Sequence, residues 1–105
     1  MIKKVDSNNF ENEILNSEKV VLVDFFATWC GPCQMLAPIL EKISNSRAEF
    51  DIAKVNIEDS QNLAIKYGIE VVPTMVIFKK GVPVKTFSGL MNAEEIVSNI
   101  NEFID

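Results

Sequence analysis

Apolar residues recur along this chain in two rhythms, and the alternation between them lays out the elements. Val20-Val21-Leu22-Val23-Asp24-Phe25-Phe26-Ala27 is a nearly continuous apolar run, rich in β-branched and aromatic residues. Such a run reads as a strand covered on both faces, as in a parallel sheet. Leu36, Ile39, Leu40 and Ile43 then recur at i, i+3, i+4 and i+7, which predicts a helix from about Cys33 to Ser44. Pro38 lies inside that helix and predicts a kink there. Phe50 to Ile57 reads as another strand. Asp59 or Ser60 is placed to cap a short helix carrying Leu63, Ala64 and Tyr67, which stops at Gly68. Thr74–Phe78 and Val84–Phe87 read as two strands, and Lys79-Lys80-Gly81 between them predicts an antiparallel hairpin. Ala93, Ile96, Val97, Ile100, Phe103 and Ile104 mark a last amphipathic helix.

Two further elements are predicted toward the N-terminus. Ser7-Asn8-Asn9 offers caps for a helix carrying Phe10, Ile14 and Leu15, and Ile2–Val5 fits a short first strand. The order is βαβαβ, then the short helix, then ββα. It predicts an α/β protein with a mixed central sheet and helices on both faces. No linker, repeat or low-complexity segment interrupts the pattern, so residues 1–105 read as one domain.

Charge and composition narrow the function. The net charge of −5 gives no electrostatic attraction to phosphate backbones or anionic lipid, so neither nucleic acid nor membrane is an expected partner. No run approaches the roughly 20 apolar residues of a membrane helix. The first residues carry two lysines, but Asp6-Ser7-Asn8-Asn9 stands where a signal peptide would be apolar. The expectation is a cytoplasmic monomer.

The strongest chemical signal is Trp29-Cys30-Gly31-Pro32-Cys33, at the junction of the apolar strand and the helix. Unpartnered N–H groups and the helix dipole favour negative charge at such a junction, and a thiolate is such a charge. Cys30 comes first and is expected to be the exposed nucleophile. Cys33, about one turn further in, is expected to be more shielded. Pro32 suits a first helical turn, where its missing N–H costs nothing. The expected chemistry is attack of Cys30 thiolate on a disulfide, then attack of Cys33 on the resulting mixed disulfide. Three blander readings compete. A zinc site needs about four ligands, and the chain has two cysteines and no histidine. A structural staple across so short a loop would constrain little of the unfolded chain. Two inert core thiols fit poorly with a helix start.

Val23-Asp24-Phe25-Phe26-Ala27-Thr28-Trp29-Cys30-Gly31-Pro32-Cys33 closely resembles the active-site segment of the thioredoxin family. The resemblance continues through Ala37-Pro38-Ile39-Leu40, Lys54, Tyr67-Gly68-Ile69, Val72-Pro73-Thr74, Phe78-Lys79-Lys80-Gly81 and Gly89. It implies the thioredoxin fold, a mixed sheet of five strands flanked by four helices. It also implies a general protein-disulfide reductase that acts on disulfide-containing proteins, is recharged by a thioredoxin reductase and needs neither cofactor nor metal. Gly31-Pro32 resembles the reducing members, whereas oxidants and isomerases of this fold usually place histidine there. A binding module that uses the fold only as a scaffold is the remaining rival.

Other site residues take their roles from the resemblance. The residues themselves leave two readings of Asp24 open: an acid facing solvent at a strand end, or one buried with a raised pKa. The resemblance implies the buried acid, accepting a proton from Cys33. Lys54 alone reads as an exposed strand lysine; the resemblance implies an electrostatic helper beside the acid. Pro73 alone reads as a strand-entry proline. The resemblance implies a cis bond facing the cysteines, with the Val72 backbone pairing to an extended substrate. Trp29, Ile57, Val72, Pro73, Gly89 and Leu90 would then form an apolar docking rim. The chain departs from the family at Phe26, where tryptophan is common, and at Val71, where a small residue is common.

Overall fold

The computed structural model describes residues 2–105. Its five strands are β1 (Ile2–Val5), β2 (Val20–Phe26), β3 (Phe50–Asn56), β4 (Thr74–Lys79) and β5 (Val82–Ser88). They form one sheet in the order β1-β3-β2-β4-β5. β3 pairs in parallel with both β1 and β2, and β4 runs antiparallel to β2 and β5. β2 is therefore central, with Asp24 opposite Lys54 on one side and Met75 on the other.

The helical segments are a π-helical turn over Glu11–Leu15 and three α-helices. These are α1 (Gly31–Ser46), α2 (Gln61–Lys66) and α3 (Ala93–Asn101). The period-2 alternation of β2 divides the core between two faces. Val21, Val23 and Phe25 pack with Phe10, Ile14 and Leu63, under the π-helical turn and α2. Val20 and Leu22 pack with Leu36, Leu40, Ile96 and Ile100 of α1 and α3. A mixed sheet covered on both faces is what the apolar rhythms predict, and Asp24 falls on the α1 side of it.

Three local details differ from the sequence expectation. The first helix is only five residues long and has no side-chain cap. Asn8 N–H donates to Asp6 Oδ1 and Asp6 N–H to Asn9 Oδ1, so the polar residues before it close a turn. Short polar side chains bond local backbone in just this way when they compete with helix. At α2, Ser60 occupies the N-cap position but makes no capping bond. Its hydroxyl is buried and unpartnered. The last helix ends at Asn101, while Phe103 and Ile104 pack onto the core from the turn that follows. Pro38 is accommodated within α1, which continues to Ser46.

The β4–β5 connection is a two-residue turn in which Lys80 (φ 52°) and Gly81 (φ 78°) are both left-handed. Two positive φ values in succession match the twist of a hairpin. A Cβ at Gly81 would also lie 2.8 Å from the Leu15 carbonyl oxygen. Gly81→Ala is therefore expected to destabilise the protein by about 2 kcal/mol, from left-handed strain and overpacking together. Urea unfolding should show a lower midpoint with an unchanged slope. An unchanged midpoint would contradict the close approach.

Candidate active site

The site lies where β2 gives way to α1, and the local sequence explains its shape. Cys30 is extended (φ −89°, ψ 113°) and serves as the N-cap of α1, with Pro32 in the first turn. Its sulfur accepts the Cys33 N–H at 3.2 Å, one of the donors that a helix start leaves without an intrahelical partner. Gln34 Nε2 reaches back to the Thr28 carbonyl at 3.0 Å and ties the loop to the helix. Cys30 and Cys33 are joined as a disulfide, with Cα atoms 5.2 Å apart.

Exposure does not separate the two cysteines. Cys30 is 4% exposed and Cys33 5%, so the expectation of an exposed Cys30 beside a shielded Cys33 is corrected. The cap position causes this. It turns the Cys30 side chain back over the first helical turn, where it packs with Ala27, Cys33, Phe26, Ile57 and Val72. Trp29, Gly31 and Pro32 around it remain exposed.

A second loop closes over the cysteines. The Val72–Pro73 peptide is cis. The Val72 carbonyl oxygen lies 3.6 Å from the Cys30 sulfur. Thr74 Oγ1 donates to the Val71 carbonyl at 2.6 Å and lies 2.9 Å from Ser88 Oγ. Gly89, at φ 93°, donates its N–H to the Pro73 carbonyl at 2.9 Å. The loop is thus pinned from β5 by Ser88 and Gly89. Sequence reasoning missed the Thr74–Ser88 pair. The signal was available only through the hairpin register, which sets these residues opposite one another.

Asp24 is buried at 2% exposure, and its Oδ1 has no hydrogen-bond partner. This decides between its two readings: the acid does not face solvent. Burial pushes its pKa up to about 7, against a smaller downward pull from Lys54. Lys54 is half-buried, and its Nζ lies 4.7 Å from the Phe26 ring centroid. The structure thus gathers Cys30, Cys33, Ile57 and Val72 into one apolar cluster, with Pro73 and Gly89 bonded beside it. Trp29 is 68% exposed and Leu90 44%, and neither belongs to that buried cluster.

Among the described residues, no group of three or more His, Cys, Asp or Glu side chains could hold a metal ion. No described helix is long and apolar enough to cross a membrane. What the arrangement can do is exchange one internal disulfide with an external one, and the same fold holds a buried acid whose pKa burial pushes up to about 7.

Fold and site together define a disulfide oxidoreductase. Comparison with known proteins gives its family. The thioredoxin family model matches residues 1–102. The chain is 44% identical to a thioredoxin of Chlorobaculum thiosulfatiphilum, over 91% of this chain and 90% of that protein. It is 40% identical to a thioredoxin of Mycobacterium bovis, over 93% and 91%. It is also 40% identical to the chloroplastic thioredoxin Y1 of Arabidopsis thaliana, over 95% of this chain but only 59% of that protein's length. The chain belongs to the thioredoxin family.

Proposed function

We propose that this protein is a general protein-disulfide reductase, recharged by a thioredoxin reductase and working in a reducing compartment such as the cytoplasm. The observation that carries the reading is the Cys30 sulfur at the cap of α1, bonded by Cys33 N–H and flanked by the Val72 carbonyl. In the dithiol form that N–H and the helix dipole stabilise a Cys30 thiolate. The thiolate attacks one sulfur of a substrate disulfide, and the other substrate sulfur leaves as a thiolate. Cys33 then loses its proton to Asp24 and attacks the Cys30 sulfur. The bond between Cys30 and the substrate breaks, and the second substrate sulfur leaves as a thiolate. Both substrate thiolates take up protons from solvent according to their pKa, and the protein keeps the Cys30–Cys33 disulfide. Two electrons have passed to the substrate, and the reductase returns two to the protein.

Substrate recognition follows from the second loop. The Val72 backbone stands beside the nucleophile and would pair with an extended segment, which tolerates many side chains. Trp29, Ile57 and Leu90 supply apolar surface around it. Lys54 adjusts the charge balance at Asp24 from the neighbouring strand. The Gly31-Pro32 insert supports reduction over oxidation or isomerisation.

The test is stoichiometric. One equivalent of the reduced protein should open one insulin disulfide, and turnover should become continuous when a thioredoxin reductase and its reductant are added. Cys30→Ser should do neither. Insulin left intact by the reduced parent protein would return the fold to the scaffold reading.

A further inference from the structure

We propose that the Phe26 ring holds the Lys54 ammonium away from Asp24, leaving the Asp24 carboxyl free to take up and release a proton. The proposal rests on Asp24 being the proton acceptor, but its closing experiment separates the two ideas.

Lys54 and Asp24 are direct neighbours across the β2–β3 ladder. Adjacent strands lie about 4.8 Å apart, and a lysine side chain is longer than that, so a direct ion pair is within reach. It does not form. Among the described residues no ion pair joins Lys54 to Asp24. Asp24 Oδ1 has no partner at all. The ammonium instead sits over the ring of Phe26, two residues further along β2. An ammonium over an aromatic face is attracted by the ring's negative π cloud. One cation cannot occupy both positions, so the ring and the carboxylate compete for it.

The outcome of that competition matters to the chemistry. A carboxylate in direct contact with a cation is held ionised and gives up its affinity for a proton. A carboxylate that feels the cation only through space keeps most of the effect of burial. Lys54 acts on Asp24 through space, and burial is the larger influence. Among the described residues no other cation forms an ion pair with Asp24 either. β4 presents Met75 opposite Asp24, and the two cysteines at the start of α1 are uncharged as a disulfide. The remaining charged groups, Lys4, Asp6 and Asp59, line the cleft that Lys54 and Phe26 share. Phe26 is therefore a positioning residue.

The experiment follows the side-chain carboxyl carbon of Asp24 by NMR through a pH titration of the oxidised protein. The parent midpoint should fall near 7. In Phe26→Leu the freed ammonium reaches the carboxylate, and the midpoint should drop by about one pH unit or more. Phe26→Tyr keeps a ring face and should leave it in place. Lys54→Met removes the cation and should raise it. The double variant Phe26→Leu/Lys54→Met should match Lys54→Met alone. A Phe26→Leu midpoint that stays or rises would overturn the proposal, as would a drop that persists without Lys54. Phe26→Met serves the same purpose if the leucine variant does not fold. The rate of mixed-disulfide resolution, followed against pH in the same variants, should move with the midpoint. A moved midpoint with an unmoved rate profile would leave the holding of Lys54 intact and remove Asp24 as the proton acceptor.

Discussion

A Cys33→Ser variant is expected to stop at the mixed disulfide, covalently joined to its substrate through Cys30. The geometry sets the size of the effect. Cys33 lies within the first turn of the helix that Cys30 caps, with the two Cα atoms 5.2 Å apart. Attack from such a position is intramolecular, with an effective molarity on the order of 10⁵ M or more. A free thiol at millimolar concentration replaces it poorly. Turnover of a protein disulfide should therefore fall by roughly a thousandfold or more, while the first attack survives. Non-reducing mass spectrometry should show an adduct of variant plus substrate that collapses on adding excess dithiol. Cys30→Ser should form no such adduct. Because the two residues are buried to the same extent, this experiment, and not residue exposure, decides which one attacks. Capture by Cys30→Ser and none by Cys33→Ser would reverse the assigned roles.

The parts of this molecule that were legible in the sequence are those written as periodicities. The continuous run from Val20 places β2 at the sheet centre, and the i, i+3, i+4, i+7 spacing from Leu36 places α1 against it. The cysteines were legible because two residues between them at a strand–helix junction leave one sulfur to cap the helix. Asp24 was half legible. An acid in an apolar run announces a conflict, but its resolution required knowing that α1 covers that face. Short helices were least legible, because Ser7, Asn8 and Asn9 satisfy a turn as readily as a cap. The equal burial of Cys30 and Cys33 arose from the cap rotating the first sulfur inward, together with the approach of a loop some 40 residues away in sequence. Contacts of that kind, including Thr74 with Ser88 and Lys54 with Phe26, depend on strand register. No local pattern encodes it.

Asp24→Asn is expected to stabilise the folded protein, and to do so only above a particular pH. The folded-state pKa of Asp24 is about 7, against 3.8 for the same group in an exposed chain. The folded state therefore binds the proton more tightly than the unfolded state. Between about pH 4 and pH 7 the unfolded chain has released this proton while the folded protein holds it. Stability falls as pH rises wherever the folded state carries the extra proton. The loss begins near pH 4 and is complete above about pH 7, when the folded carboxyl must also ionise in its apolar surroundings. At 1.36 kcal/mol per pH unit, the span corresponds to roughly 4 kcal/mol for this one group. Asparagine has the same shape and no charge to bury. The stability difference between variant and parent should therefore be close to zero at pH 4 and rise to about 3–4 kcal/mol by pH 8. Other titrating groups are common to both proteins and cancel in that difference. Denaturant unfolding of the oxidised proteins at a series of pH values measures it directly. A difference flat in pH would mean that the carboxyl is not desolvated in the folded state. A rising one, paired with slowed resolution of the mixed disulfide, would show a single buried acid destabilising the fold at the pH where it is most useful as a base.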